Sequence, residues 1–212
     1  MPYDAIIFDI DGTLWNTLPT CTKSWNQALE QLGVSNRVTD EQIRSVMGTP
    51  QDEAIAKLLP ELYAKHQNLV DQLSQQEGLV ISQEGGVFYP NVLQGVNALS
   101  EQTPIYLVSN CQTWYLNLFI KLSGLADCLT DTDCWGNAKA SKTHMLLGLQ
   151  QKHGFKQAVY IGDTVRDQVA AREAGFDFIY AAYGFGEVEG DPLSFDDSEE
   201  LIHYLKNRKI DL

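Results

Sequence analysis

Residues 5–17 read AIIFDIDGTLWNT. Ala5, Ile6, Ile7, Phe8 and Ile10 form a short, nearly continuous apolar run. Asp9 stands inside that run and Asp11 directly follows it. A strand that is apolar throughout, rather than at every second residue, belongs in a sheet covered on both faces. A carboxylate in such a place is costly unless it is paired, hydrogen-bonded or bound to a metal. The chain must therefore fold so that other groups balance two acids at the end of one strand.

Three further apolar runs read as strands: Ile105–Val108, Ala158–Ile161 and Phe178–Ala182, after a first at Ala5–Ile10. Helical spacing occupies the gaps between the later ones. Thr113–Leu122 is one such segment. Lys142–Lys152 is another, with Met145, Leu146 and Leu149 on one stripe and Gly154 beyond. Val165–Ala174 ends at Gly175. Alternating strand and helix predicts an α/β fold around a parallel sheet. Residues 16–88 break the alternation. They carry helical patterns at Cys21–Leu32, Asp40–Val46, Asp52–Leu59 and Pro60–Gln75, with Asp40 a candidate cap and Pro60 suited to a first helical position. Gly78 and Gly85–Gly86 are expected to turn the chain back. A helix containing Val92, Val96 and Leu99 follows. The expected organisation is a core of residues 1–15 and 89–212 with a helical insert at 16–88.

Charge narrows the partners. Twenty-eight acids against 15 Lys and Arg give a net charge of -13. A non-specific nucleic-acid binder needs a basic footprint, and docking on an anionic membrane needs basic residues too. Neither is expected here, although local cations or a bound divalent ion still permit an anionic small substrate. No apolar run approaches the ~20 residues of a membrane helix, and no secretory pattern opens the chain. Cys21, Cys111, Cys128 and Cys134 form no CxxC pair, and His66, His144, His153 and His203 have no zinc-ligand spacing. Free thiols and a cytoplasmic location are expected, with a monomer or small homo-oligomer.

Ligands of open parallel sheets bind at the carboxyl ends of the strands. Here those ends are polar. The first leads into Asp9, Asp11, Gly12 and Thr13. The second leads into Ser109 and Asn110. The third leads into Gly162, Asp163 and Thr164, with Asp167 four residues after Asp163. Taken singly, Ser109–Asn110 suits a helix cap and Asp11–Gly12 a turn. Taken together, four carboxylates on one edge repel unless a cation lies among them. Magnesium suits carboxylate and carbonyl oxygens together with a substrate phosphate. Lys142 follows a good N-cap, Ser141, so it stands against the helix dipole at some cost. Lys139, in the preceding loop, is the competing cation.

These residue types fit phosphoryl transfer, which needs positioning and charge neutralisation above all. Asp9 is the candidate nucleophile and Asp11 the candidate general acid and base. Ser109, Asn110 and Lys142, with Gly12 and Thr13 at the turn, are the candidate phosphate and substrate contacts. Asp9, Asp163, Asp167 and the backbone carbonyl of Asp11 are the candidate magnesium ligands.

The same residues carry a family resemblance. Asp9-Ile10-Asp11-Gly12-Thr13-Leu14, Ser109-Asn110, Lys142 and Gly162-Asp163-Thr164-Val165-Arg166-Asp167 resemble, in order, the motifs of the haloacid dehalogenase-like hydrolases, in a branch similar to phosphoglycolate phosphatase. Weaker echoes are Tyr89-Pro90, Ala170–Gly175 and Tyr183–Gly186. The resemblance implies a Rossmann-like, three-layer core with an inserted α-helical cap. It also implies an aspartyl nucleophile, Mg2+ and a small phosphorylated metabolite as substrate. The Gly48-Thr49-Pro50 turn resembles a cap loop that reaches toward substrate. The chain departs from the family pattern at Asn16, where an acid is common, at Asn91, where glycine is common, and at Thr143, where proline often follows the lysine. A phosphosugar mutase shares every catalytic residue. A phosphonate hydrolase would need a cap lysine such as Lys57 or Lys65, and a binding protein with an idle site would need none of the acids. A phosphoacceptor signalling domain would lack the insert. Dehalogenation is disfavoured, because Asp11 would have no leaving oxygen to protonate.

Overall fold

The computed structural model describes residues 3–207. Residues 1–2 and 208–212, at the two ends of the expected core, lie outside the described residues. Six parallel strands form the main sheet: β1 (Ala5–Phe8), β4 (Ile105–Ser109), β5 (Asp131–Cys134), β6 (Ala158–Gly162), β7 (Asp177–Ala181) and β8 (Ser194–Phe195), in the order β5-β4-β1-β6-β7-β8. A separate antiparallel pair joins β2 (Trp15–Asn16) to β3 (Val87–Phe88). The α/β class and the parallel core are as the strand patterns predict.

Burial follows from the pleat, since successive residues of a strand face opposite sides. Ile6 and Phe8 of β1 enter one core, with Val92, Val96 and Leu99 of α6 (Val92–Ser100) and Leu201, Ile202 and Leu205 of α11 (Ser198–Asn207). Ala5 and Ile7 enter the other, with Met145, Leu146 and Leu149 of α9 (Lys142–His153) and Ala170 and Ala171 of α10 (Val165–Ala174). Helices therefore cover both faces. α7 (Thr113–Ser123) joins the first side through Tyr115, Leu116 and Phe119, and a short α8 (Trp135–Ala138) follows β5.

Between β2 and β3 lie five helices: α1 (Leu18–Gln31), α2 (Asp40–Arg44), α3 (Gln51–Leu58), α4 (Pro60–Lys65) and α5 (Leu69–Glu84). Several sequence expectations are corrected here. Pro60–Gln75 is not one helix, because His66 turns extended and ends α4, and α5 starts afresh at Leu69. Gly78 does not turn the chain. It lies within α5, beside the Trp114 ring. Asp40 is not the cap of α2. Thr39 is, in a reciprocal capping box with Gln42. β1 stops at Phe8, so Asp9 already lies beyond the strand. Asn91 adopts the left-handed conformation with φ 58°. That backbone accounts for the glycine usual there, and asparagine is among the few other residues that tolerate it.

Candidate active site

β1 is flanked by β4 on one side and β6 on the other, where the chain order reverses across the sheet. Such a switch point opens a crevice at the carboxyl ends of the strands. Pairing of Phe8 with Leu107 and with Ile161 sets the register, so Asp9, Ser109 and Asp163 leave the sheet on one edge. The backbone N–H of Asp9 donates to the Ile161 carbonyl at 2.8 Å, which fixes its height.

Asp9, Asp163 and Asp167 are all fully buried, and one oxygen from each lies within 4.8 Å of the others. Lys142 enters from the first turn of α9, held there by the Ser141 cap. Its Nζ lies 3.1 Å from Asp9 Oδ2 and donates to Asp167 Oδ1 at 2.5 Å. Lys139 is exposed and lies over the Trp135 ring at 3.8 Å. Of the two lysines, Lys142 faces the acids.

The carboxylates are not equivalent. Asp167 Oδ2 accepts from the Thr164 N–H at 3.0 Å and its hydroxyl at 2.6 Å, and Oδ1 is shared by Lys142 and the Tyr160 hydroxyl at 3.1 Å. Asp163 uses only Oδ2, which accepts from the Phe185 N–H at 2.7 Å. Asp163 Oδ1 and Asp9 Oδ1 are buried acceptors with no hydrogen-bond donor. A Cβ on Gly12, whose φ is +77°, would fall 2.0 Å from Asp163 Oδ2, and one on Gly184 would fall 2.3 Å from Asp163 Cβ. Glycine at both positions lets the acid be walled in by backbone. The Gly12 N–H itself is bound to the Trp15 carbonyl at 3.0 Å.

Burial pushes Asp9 up to about 7, with Lys142 opposing and Asp167 and Asp11 reinforcing the shift. Burial also drives Asp163 upward, helped by Asp167. Burial alone would lower Lys142, but the charges of Asp167 and Asp9 outweigh it and hold the ammonium ionised. One cation thus faces three buried carboxyls. The donor set, two unpartnered carboxylate oxygens among clustered acids, fits a hard divalent cation.

Asp11 points to the other side. Its Oδ1 accepts from the Tyr115 hydroxyl and from Thr17 Oγ1 at 3.2 Å. Burial pushes it up to about 6, against the pull of those hydrogen bonds. Ser109 is buried, and its Oγ accepts from the Cys111 N–H at 3.3 Å. Asn110 Nδ2 donates to the Gly48 carbonyl at 2.8 Å, which ties the strand end to the Gly48–Thr49 turn. Thr13 is buried with its hydroxyl unpartnered. Sequence reasoning missed Tyr115, Thr17 and Tyr160. Each sits within two turns of a motif residue or inside a strand, but only the fold brings its hydroxyl to an acid.

A six-stranded parallel sheet with an acid cluster and an inward lysine at its switch point defines an α/β protein whose site suits a metal ion and an anionic ligand. The particular family follows from comparison. Residues 6–181 match the model of the haloacid dehalogenase-like hydrolases, and the chain belongs to that family. It is 29% identical over 206 residues to a phosphoglycolate phosphatase of Vibrio cholerae, covering 89% of this chain and 88% of that protein. It is 26% identical over 224 residues to one of Haemophilus influenzae, covering 96% and 98%. A crystal structure from Haemophilus somnus, described as a predicted phosphoglycolate phosphatase, superposes with a TM-score of 0.82 at 22% identity over 95% of this chain and 97% of that one. The fold is shared with it. No helix among the described residues is long and apolar enough to cross a membrane, and the four cysteines are free.

Proposed function

We propose that this protein is a magnesium-dependent phosphatase that hydrolyses a small phosphomonoester through an aspartyl-phosphate at Asp9. The observation that carries the reading is the pair of buried, unpartnered oxygens on Asp9 and Asp163 beside Lys142. The family and the phosphoglycolate phosphatase relatives support it. Asp9, Asp163 and the Asp11 carbonyl are the metal ligands in this reading. Asp167, whose oxygens are already engaged, holds Lys142 and the start of α10 in place and completes the charge of the site. The bound cation supplies charge neutralisation for the phosphoryl group.

Asp9 attacks phosphorus and the ester oxygen departs. Asp11, held by Tyr115 and Thr17, protonates that oxygen and then takes a proton from the water that attacks phosphorus of the aspartyl-phosphate, breaking its bond to Asp9 and releasing phosphate and the free carboxylate. Lys142, Ser109 and the Asn110 amide hold the phosphoryl oxygens. We read residues 16–88 as a helical cap on a core of 1–15 and 89–212. The five helices between β2 and β3 and the Asn110–Gly48 hydrogen bond support this. A cap closing on the site excludes water during transfer.

The test is phosphate release from a panel of small phosphomonoesters, with and without Mg2+, for wild type and Asp11→Asn. Magnesium-dependent release that the substitution abolishes supports the reading. An inert panel, with the fold intact, overturns it.

Two predictions arise here. Mg2+ should raise the melting temperature of the metal-free protein more at pH 8 than at pH 5. Asp9 and Asp163 bind protons more tightly folded than unfolded, so stability falls as pH rises from about 4 to 7. At pH 8 a bound cation relieves that loss; at pH 5 it competes with protons. Saturation at 100 times Kd adds about 2.7 kcal/mol. Thermal melts at both pH values decide, and an equal shift at both contradicts the site. Tyr115→Phe should move the Asp11 limb of the kcat/KM profile upward by about one unit, since it deletes a hydrogen bond that favours the carboxylate. An unchanged profile would remove Tyr115 from the proton chemistry.

A further inference from the structure

The leaving group must extend from the oxygen that Asp11 protonates, so the space beside Asp11 sets its chemistry. A small cavity of about 80 Å³ starts at Asp11 and Asn110 and runs between α1, α5, the Gly48–Thr49 turn and the start of α7. Trp25, Ile43, Met47 and Trp114 give it apolar walls. Gln51 and Glu77 supply polar lining. Gln51 Nε2 donates to Glu77 Oε2 at 2.6 Å, and Cys21 Sγ lies 3.2 Å from Glu77 Oε1. Burial pushes Glu77 up to about 7, so at pH 8 it is a carboxylate, which only accepts and turns the amide NH2 of Gln51 toward itself. Gln51 Oε1 is then left buried with no donor.

No lysine, arginine or histidine is among the described residues that line this cavity. Arg44, on neighbouring α2, is directed elsewhere. Its guanidinium lies 5.3 Å from the centre of the Phe185 ring, and Nη1 donates to the Gly184 carbonyl at 3.4 Å. The cavity therefore offers apolar surface and spare acceptors but no counter-charge for an anion.

Resting on the phosphatase reading, we infer that this cavity selects phosphomonoesters whose alcohol part ends in a hydroxyl, received by Gln51 and Glu77, and rejects those that end in a carboxylate. A hydroxyl donates to Gln51 Oε1, and its carbon skeleton lies on the two indoles. A carboxylate would lose its water in an apolar-walled space, beside Glu77, with no cation to offset it. Selection thus comes from repulsion of the wrong end group as well as attraction of the right one. Phosphoglycolate, for which the Vibrio and Haemophilus relatives are named, ends in a carboxylate, so specificity here diverges from what those names describe.

Matched esters test this directly. 2-Hydroxyethyl phosphate is compared with phosphoglycolate, and glycerol 3-phosphate with 3-phosphoglycerate, at pH 8 with Mg2+. The hydroxyl member of each pair should have a kcat/KM at least ~10-fold higher. Glu77→Gln should shrink the ratio by raising turnover of the carboxylate member. The same pairs titrated calorimetrically into Asp9→Asn with Mg2+ read the preference without catalysis, and the hydroxyl member should bind more tightly. Turnover with equal or reversed ratios overturns the inference and leaves the phosphatase standing. Absence of turnover with selective binding overturns the phosphatase and keeps the selectivity. Absence of both turnover and binding overturns both.

Discussion

Asp9→Asn is expected to reduce phosphate release by at least ~10³-fold while making the metal-free protein more stable at pH 8, not less. The two effects have one cause. Asparagine keeps the shape of the side chain but neither attacks phosphorus nor carries charge. Asp9 is buried near two other acids and ionises in the folded protein only at about 7, against an ordinary 3.8. A folded pKa above the unfolded one means that the native state holds the proton more tightly. Stability contributed by that proton is present below about 4 and is lost as pH rises through 7. The variant has no such proton to lose. Melts of the two metal-free proteins at pH 5 and pH 8 should therefore show a smaller fall for Asp9→Asn. Activity retained by the variant would remove Asp9 as nucleophile. An identical fall with pH would remove the burial argument.

That opposition between function and stability is what made the site legible in the sequence. An aspartate directly after an apolar strand breaks the local rule for burial, and broken rules mark functional positions. Asp9, Asp11, Ser109 and Asp163 could be placed together because each ends a strand, and parallel strands end on the same edge. Lys142 was legible for a similar reason, as a cation at the wrong end of a helix. Tyr115 and Thr17 were not. Nothing in Thr113–Ser123 distinguishes a tyrosine that packs from one whose hydroxyl reaches Asp11 across the fold. Glu77 reads as one polar residue on a mostly polar helix face, and only the packing of α1 and α3 beside it turns it inward.

The sheet shows the same division. β1, β4, β6 and most of β7 are apolar runs and stand out. β5 reads Asp131-Thr132-Asp133-Cys134, with only Cys134 buried. An edge strand needs little apolar surface, so its sequence carries little strand signal. β8 is two residues long. α11 was within reach, since Leu201, Ile202 and Leu205 keep helical spacing after Asp197, whose side chain accepts from the Glu199 N–H at 2.6 Å. The break between α4 and α5 was not, because a short helix that buries no residue leaves no apolar stripe to interrupt.

Lys142→Met should be the most destabilising single change at this site. Methionine replaces the buried stem, so packing is kept and only the charge is lost. Asp9 and Asp167 would then face each other and Asp163 with no cation between them. Removing one partner of a buried ion pair costs about 3–5 kcal/mol, which in a protein of this size lowers the melting temperature by roughly 10 °C. Phosphate release should be lost as well, because in the proposed mechanism the same ammonium holds the phosphoryl group. The stability deficit should shrink at pH 5, since burial already drives Asp9 and Asp163 toward protonation and neutral carboxyls need no counter-ion. Lys139→Met provides the contrast. That side chain is exposed, with its ammonium over the Trp135 ring, so its loss should cost no more than about 1 kcal/mol. Melts of both variants at pH 5 and pH 8 separate the two lysines. A Lys142→Met protein as stable as wild type at pH 8 would mean that the three acids are balanced by something other than this one cation.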